Sequence, residues 1–99
     1  MFKRDWHSPA YAKWREEVRA RDGGECQWPG CKCRNKRKLE IHHIKKWSDH
    51  PSSRYALANG ITLCKECHKK IKGSEENYEE FFYKILEWQM LNKIKRYNE

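Results

Sequence analysis

Leu39-Glu40-Ile41-His42-His43-Ile44 and Asn59-Gly60-Ile61-Thr62-Leu63-Cys64-Lys65-Glu66-Cys67-His68 are the two stretches that decide how this chain folds. The first has the alternation and β-branching of a short strand. In the second, Ile61-Thr62-Leu63 predicts another strand, and Cys64 opens a short helix that runs to Lys72. Gly73-Ser74 breaks that helix. Between the strands lies a polar loop, 45–60, containing Pro51-Ser52-Ser53. A structureless loop of that length in a small domain is usually functional.

Upstream, Ser8-Pro9 reads as an N-cap followed by a first-turn proline. Tyr11, Trp14 and Val18 then fall on one helical face, and Asp22-Gly23-Gly24 ends the element, predicting a helix over 9–21. Downstream, 75–97 reads as a long helix whose Tyr78, Phe81, Phe82, Ile85, Leu86 and Trp88 share a face. Its front is acidic (Glu75, Glu76, Glu79, Glu80) and its tail basic (Lys93, Lys95, Arg96), an order that suits the helix dipole. Tyr83, Met90, Ile94 and Tyr97 form a second apolar stripe. It meets a second copy of the chain, giving a homodimer through this helix, or a partner protein, or else packs back on the N-terminal arm with Phe2 and Trp6.

Cys26 and Cys31 have four residues between them and Cys64 and Cys67 have two; 32 residues separate the pairs. Both spacings suit one tetrahedral zinc held by two tight turns, with further structure inserted between them. Four thiolates close the coordination sphere, so such a Zn2+ is structural, and it supports a small core. Cys33 is spare. Six residues separate it from Cys26, outside the usual range, so Cys31 is the expected ligand.

The chain has 99 residues, with 22 Lys+Arg against 14 Asp+Glu and a formal charge of +8. That length predicts a single domain, 1–99, with its core in 8–72. No apolar run approaches the roughly 20 residues of a membrane helix, and no signal-peptide core is visible. The expectation is a soluble, cytoplasmic protein with reduced thiols and no membrane partner. The basic balance favours a polyanion. Lys32, Arg34, Lys36, Arg37 and Lys38 form a dense run. Lys45, Lys46, Lys65, Lys69, Lys70 and Lys72 flank the histidines. Such residues contact phosphates without reading bases. Trp47, in the loop, reads as a groove wedge or a core residue.

With zinc satisfied by cysteine, His42, His43, Asn59 and His68 still ask for a role, and all are tied to one metal-stapled unit. The string from Leu39 to Ile44, then Asn59 to Cys64, then Cys67-His68, resembles the HNH endonucleases. The resemblance covers about residues 8–72, including the tryptophan-bearing helix and both Cys pairs. It implies an α+β fold with a ββα-metal core, flanked here by an N-terminal helix and the long C-terminal helix. It implies that His42 and His68 ligate a catalytic divalent ion, Mg2+, Mn2+ or another, and that His43 is the general base. Asn59 would hold the His43 imidazole, although in some members this Asn contacts the metal. Two positions depart from relatives: Lys72 stands where colicin-type members have a further His, and other members place Asp where His42 sits. The chain is also similar to small HNH proteins of bacteriophages, which often lie beside DNA-packaging genes, so terminase proteins are candidate partners.

Phosphodiester hydrolysis fits these residues chemically. It needs a water deprotonated near neutral pH, which His suits, and charge neutralisation at the phosphate, which a divalent ion supplies. Successive strand side chains point to opposite faces, so His42 and His43 can serve different sides of one phosphate. The expected function is therefore metal-dependent DNA cleavage or nicking. The rivals are a non-catalytic zinc-ribbon DNA-binding module and a packaging-motor accessory factor.

Overall fold

The computed structural model describes residues 8–46 and 51–97, with only the backbone at 51 and 94–97. The readings for Phe2, Trp6 and Trp47, and for the Ile94 and Tyr97 side chains, lie outside what it describes. The first helix, α1, runs Pro9–Arg21; the Ser8 hydroxyl accepts a hydrogen bond from the Tyr11 N–H at 3.1 Å, and Pro9 fills the first turn. Gly23 and Gly24, both at φ 66°, turn the chain out of the helix. Strands β1 (Leu39–His43) and β2 (Gly60–Cys64) pair antiparallel, with His43 opposite Gly60 and Leu39 opposite Cys64. Helix α2 (Lys65–Ile71) follows β2 without a linker, capped by Cys64, and α3 (Glu79–Tyr97) closes the chain.

Packing explains the order. Tyr11, Trp14 and Val18 bury one face of α1 against the sheet. A Cβ on Gly60 would lie 2.6 Å from Val18 Cγ2 and 2.7 Å from Trp14 Cζ2, so only glycine lets α1 reach β2. The other face of the sheet packs with α2 and the front of α3 around Ile44, Leu63, Ile71 and Phe82. Buried Asp22 ties three elements: its carboxylate accepts from the Thr62 N–H (2.9 Å), from Arg21 Nε (2.9 Å) and from Gln89 Nε2 (2.9 Å).

Three expectations differ from this. The 45–60 loop is not structureless, because Pro51–Ser53 and Leu57–Asn59 form 3₁₀ turns. The C-terminal helix is α-helical from Glu79, with Glu75–Tyr78 as a 3₁₀ lead-in; Ser74 stands at its cap position but its side chain makes no capping bond. The apolar face also ends sooner than its periodicity suggests. Trp88 is 67% exposed, while Tyr83 packs on the core instead of joining a second stripe.

Candidate active site and metal centre

Cys26, Cys31, Cys64 and Cys67 come together, each sulfur within 4.8 Å of the others. Two turns build the cluster. In one, the Cys26 N–H reaches the Cys33 carbonyl and the Cys31 N–H reaches the Trp28 carbonyl, each at 2.9 Å. In the other, Cys64 caps α2 and puts Cys67 one turn in. Cys31 and Cys64 sulfurs lie 3.8 Å apart. That matches the edge of a tetrahedron with a metal–sulfur bond of about 2.3 Å, so the donors fit zinc. Burial pushes the Cys67 and Cys26 thiols up. It pushes Cys64 up too, but the Cys67 N–H and the neighbouring thiols outweigh it and bring Cys64 down to about 7. Cys33 stays outside the cluster and contributes only its carbonyl.

His42 and His43 leave β1 on opposite faces. His42 is 7% exposed, lies 5.0 Å from the His68 ring and 5.4 Å from Phe82, and its buried Nε2 has no hydrogen-bond partner. Burial, then the neighbouring His68 and His43, lower its pKa to about 4, so it is neutral at physiological pH. An unpaired buried ring nitrogen is costly unless a ligand satisfies it. Glu40 Oε2 lies 2.5 Å from His68 Nδ1. A carboxylate accepts, so Nδ1 is the donor to Glu40 and Nε2 is the nitrogen left for a ligand, the arrangement of metal-binding histidines. This pair of donors fits a divalent cation at the cavity of about 640 Å³ lined by His42, His43, His68 and Glu75.

His43 points toward α1. Its ring stacks on Trp14 with centroids 4.0 Å apart and planes at 15°, while Trp14 Nε1 donates to the Ala56 carbonyl at 2.9 Å. His43 Nε2 lies 3.0 Å from the Arg54 carbonyl. A carbonyl only accepts, so Nε2 carries the proton and Nδ1 is the basic nitrogen. Asn59 does not hold this imidazole. Its amide is spent on the backbone of Lys45, accepting from the N–H at 2.7 Å and donating to the carbonyl at 3.3 Å, with the Tyr83 hydroxyl at 3.5 Å. Asn59 therefore fixes the chain leaving β1, and the Arg54 carbonyl takes the role expected of it. Trp14 and Arg54 were missed as site residues: Trp14 reads from sequence as helix core, and Arg54 acts through its backbone.

The basic residues divide. Lys32, Arg34, Lys36, Arg37, Lys38, Lys69 and Lys70 are exposed. Lys45 and Lys46 instead reach α3 and its lead-in, pairing with Glu79 at 3.5 Å and Glu76 at 3.1 Å. Lys65, Lys69 and Lys72 line a groove of about 370 Å³ beside His68. No helix among the described residues is long and apolar enough to cross a membrane.

Residues 26–74 match the model of the HNH endonuclease family. No curated protein and no solved structure matches the chain. Both cysteine pairs, β1, β2 and α2 fall within the matched residues, as a hairpin and helix braced by four thiols. On that match and that architecture, residues 26–74 form an HNH endonuclease domain.

Proposed function

We propose that this protein is a metal-dependent DNA endonuclease or nickase, a single cytoplasmic domain with one structural Zn2+ and one catalytic divalent ion. The observation that carries the reading is the partnerless buried Nε2 of His42 beside a His68 oriented by Glu40, with His43 turned to the other face of the same strand. In this reading His42 and His68 hold the divalent ion, Mg2+ or Mn2+. When bound, that ion neutralises charge at the phosphate and the leaving 3′ oxygen. His43 takes the proton of the attacking water on Nδ1, while the Arg54 carbonyl and the Trp14 face keep the ring from turning. Asn59 contributes by locking the backbone after β1. Lys32, Arg34, Lys36, Arg37, Lys38, Lys69 and Lys70 meet DNA phosphates, and Lys45 and Lys46 join them where DNA displaces Glu79 and Glu76.

The exposed Trp88, Met90 and Leu91 on α3 support a protein contact, either a second copy of the chain or a bacteriophage terminase component. The test of the main reading is nicking of supercoiled plasmid in Mg2+ or Mn2+. His43→Ala should abolish cleavage yet keep zinc, fold and most DNA affinity, because a general base acts in the transition state. A folded, zinc-loaded His43→Ala that cuts at the wild-type rate would move the assignment to a DNA-binding module.

A further inference from the structure

Helix α1 carries four cations, Lys13, Arg15, Arg19 and Arg21. Three have a carboxylate: Lys13 pairs with Glu17 at 3.8 Å, Arg19 with Glu16 at 3.1 Å, and Arg21 with Asp22 at 2.9 Å. Arg15 has none among the described residues. Its guanidinium carbon sits 5.7 Å over the Tyr11 ring, and the Tyr11 ring in turn lies 6.4 Å from that of His43 with planes at 25°. Arg15 and Tyr11 also line the cavity that holds His42, His43 and His68. The other cation on its wall, Lys46, is engaged by Glu76 at 3.1 Å.

Glu40 and Glu75 line the same cavity. A phosphodiester entering it meets two carboxylates, so it needs cationic charge on the wall away from them. We propose that Arg15 is a catalytic residue of this site, a clamp that donates two guanidinium N–H groups to the non-bridging oxygens of the phosphodiester being cleaved. This rests on the nuclease reading above. The planar fork matches two phosphate oxygens at once, which a lysine ammonium does not. Tyr11 serves as a platform: the ring face attracts the guanidinium without using its N–H donors, so the fork is aimed yet available. No proton leaves Arg15. Its contribution is to oppose the charge that builds on the phosphate oxygens in the transition state.

The test compares Arg15→Ala, Arg15→Lys and Lys13→Ala with wild type, all zinc-loaded, on a defined duplex oligonucleotide with Mn2+ or Mg2+. Losing a donor aimed at developing charge costs about 10²–10³ in rate. The expected result is a fall of that size in kcat for Arg15→Ala, a smaller change in KM, partial recovery in Arg15→Lys, and wild-type behaviour in Lys13→Ala. Arg15→Ala that matches Lys13→Ala while wild type cuts would overturn the clamp and leave the nuclease reading standing. So would a loss confined to KM and shared by Lys13→Ala, the mark of diffuse electrostatic attraction. A folded wild type that cuts nothing would overturn the nuclease reading and the clamp with it.

Discussion

His42 and His43 are neighbours in sequence and opposites in environment. His42 is packed among Phe82 and His68, and its pKa is lowered to about 4 by burial and then by the adjacent imidazoles. The unfolded chain keeps the ordinary value of about 6.5. Between those values the unfolded state takes up a proton that the folded state refuses, so stability is lost as pH falls. Denaturant titrations of the zinc-loaded chain without added Mg2+ or Mn2+ should show about 2 kcal/mol lost between pH 7 and pH 5 through this group. His42→Leu should remove that part of the slope, and a slope unchanged by His42→Leu would contradict the burial argument. The opposite facing of the two histidines was legible, because strand alternation is local. What holds His43 was not. The Arg54 carbonyl has no sequence signature, and the Trp14 stack depends on α1 crossing the sheet.

Elements were legible where local chemistry sets their ends. Ser8-Pro9 and Gly23-Gly24 bound α1 as read, and β1 and β2 lie within a residue of their expected limits. The reading failed where packing decides. The apolar period of α3 runs on past the edge of the core, leaving Trp88 exposed and drawing Tyr83 inward. Gly60 read as the end of a loop, yet its glycine is required by α1, more than forty residues away in sequence. Gly60→Ala would drive a methyl into Val18 and Trp14. Such overpacking costs about 1–3 kcal/mol. Because Trp14 must give way, Gly60→Ala should also slow nicking more than its lost stability explains. The check is melting temperature alongside single-turnover rate below the transition.

For the whole molecule, the composition announced a small core that needs a staple, and the cysteine spacings located it. Cys64→Ser should lose zinc and unfold, since binding energy here is folding energy. Cys33→Ser should keep both metal and fold, because that sulfur lies outside the cluster. Zinc content and circular dichroism on the two variants read this directly. The charge total of +8 was equally plain, but not its distribution: Glu76 and Glu79 already occupy Lys46 and Lys45.

The adjacency of Cys67 and His68 on α2 has a practical consequence at the bench. A chelator such as EDTA is the customary control for a divalent-ion requirement. Here it also competes for the thiolate cluster that positions His68. On the nuclease reading proposed above, cleavage lost in EDTA would report two events, emptying of the proposed histidine site and collapse of the helix that carries His68. Recovery on adding Mg2+ alone separates them, because only a chain that has kept its zinc will recover.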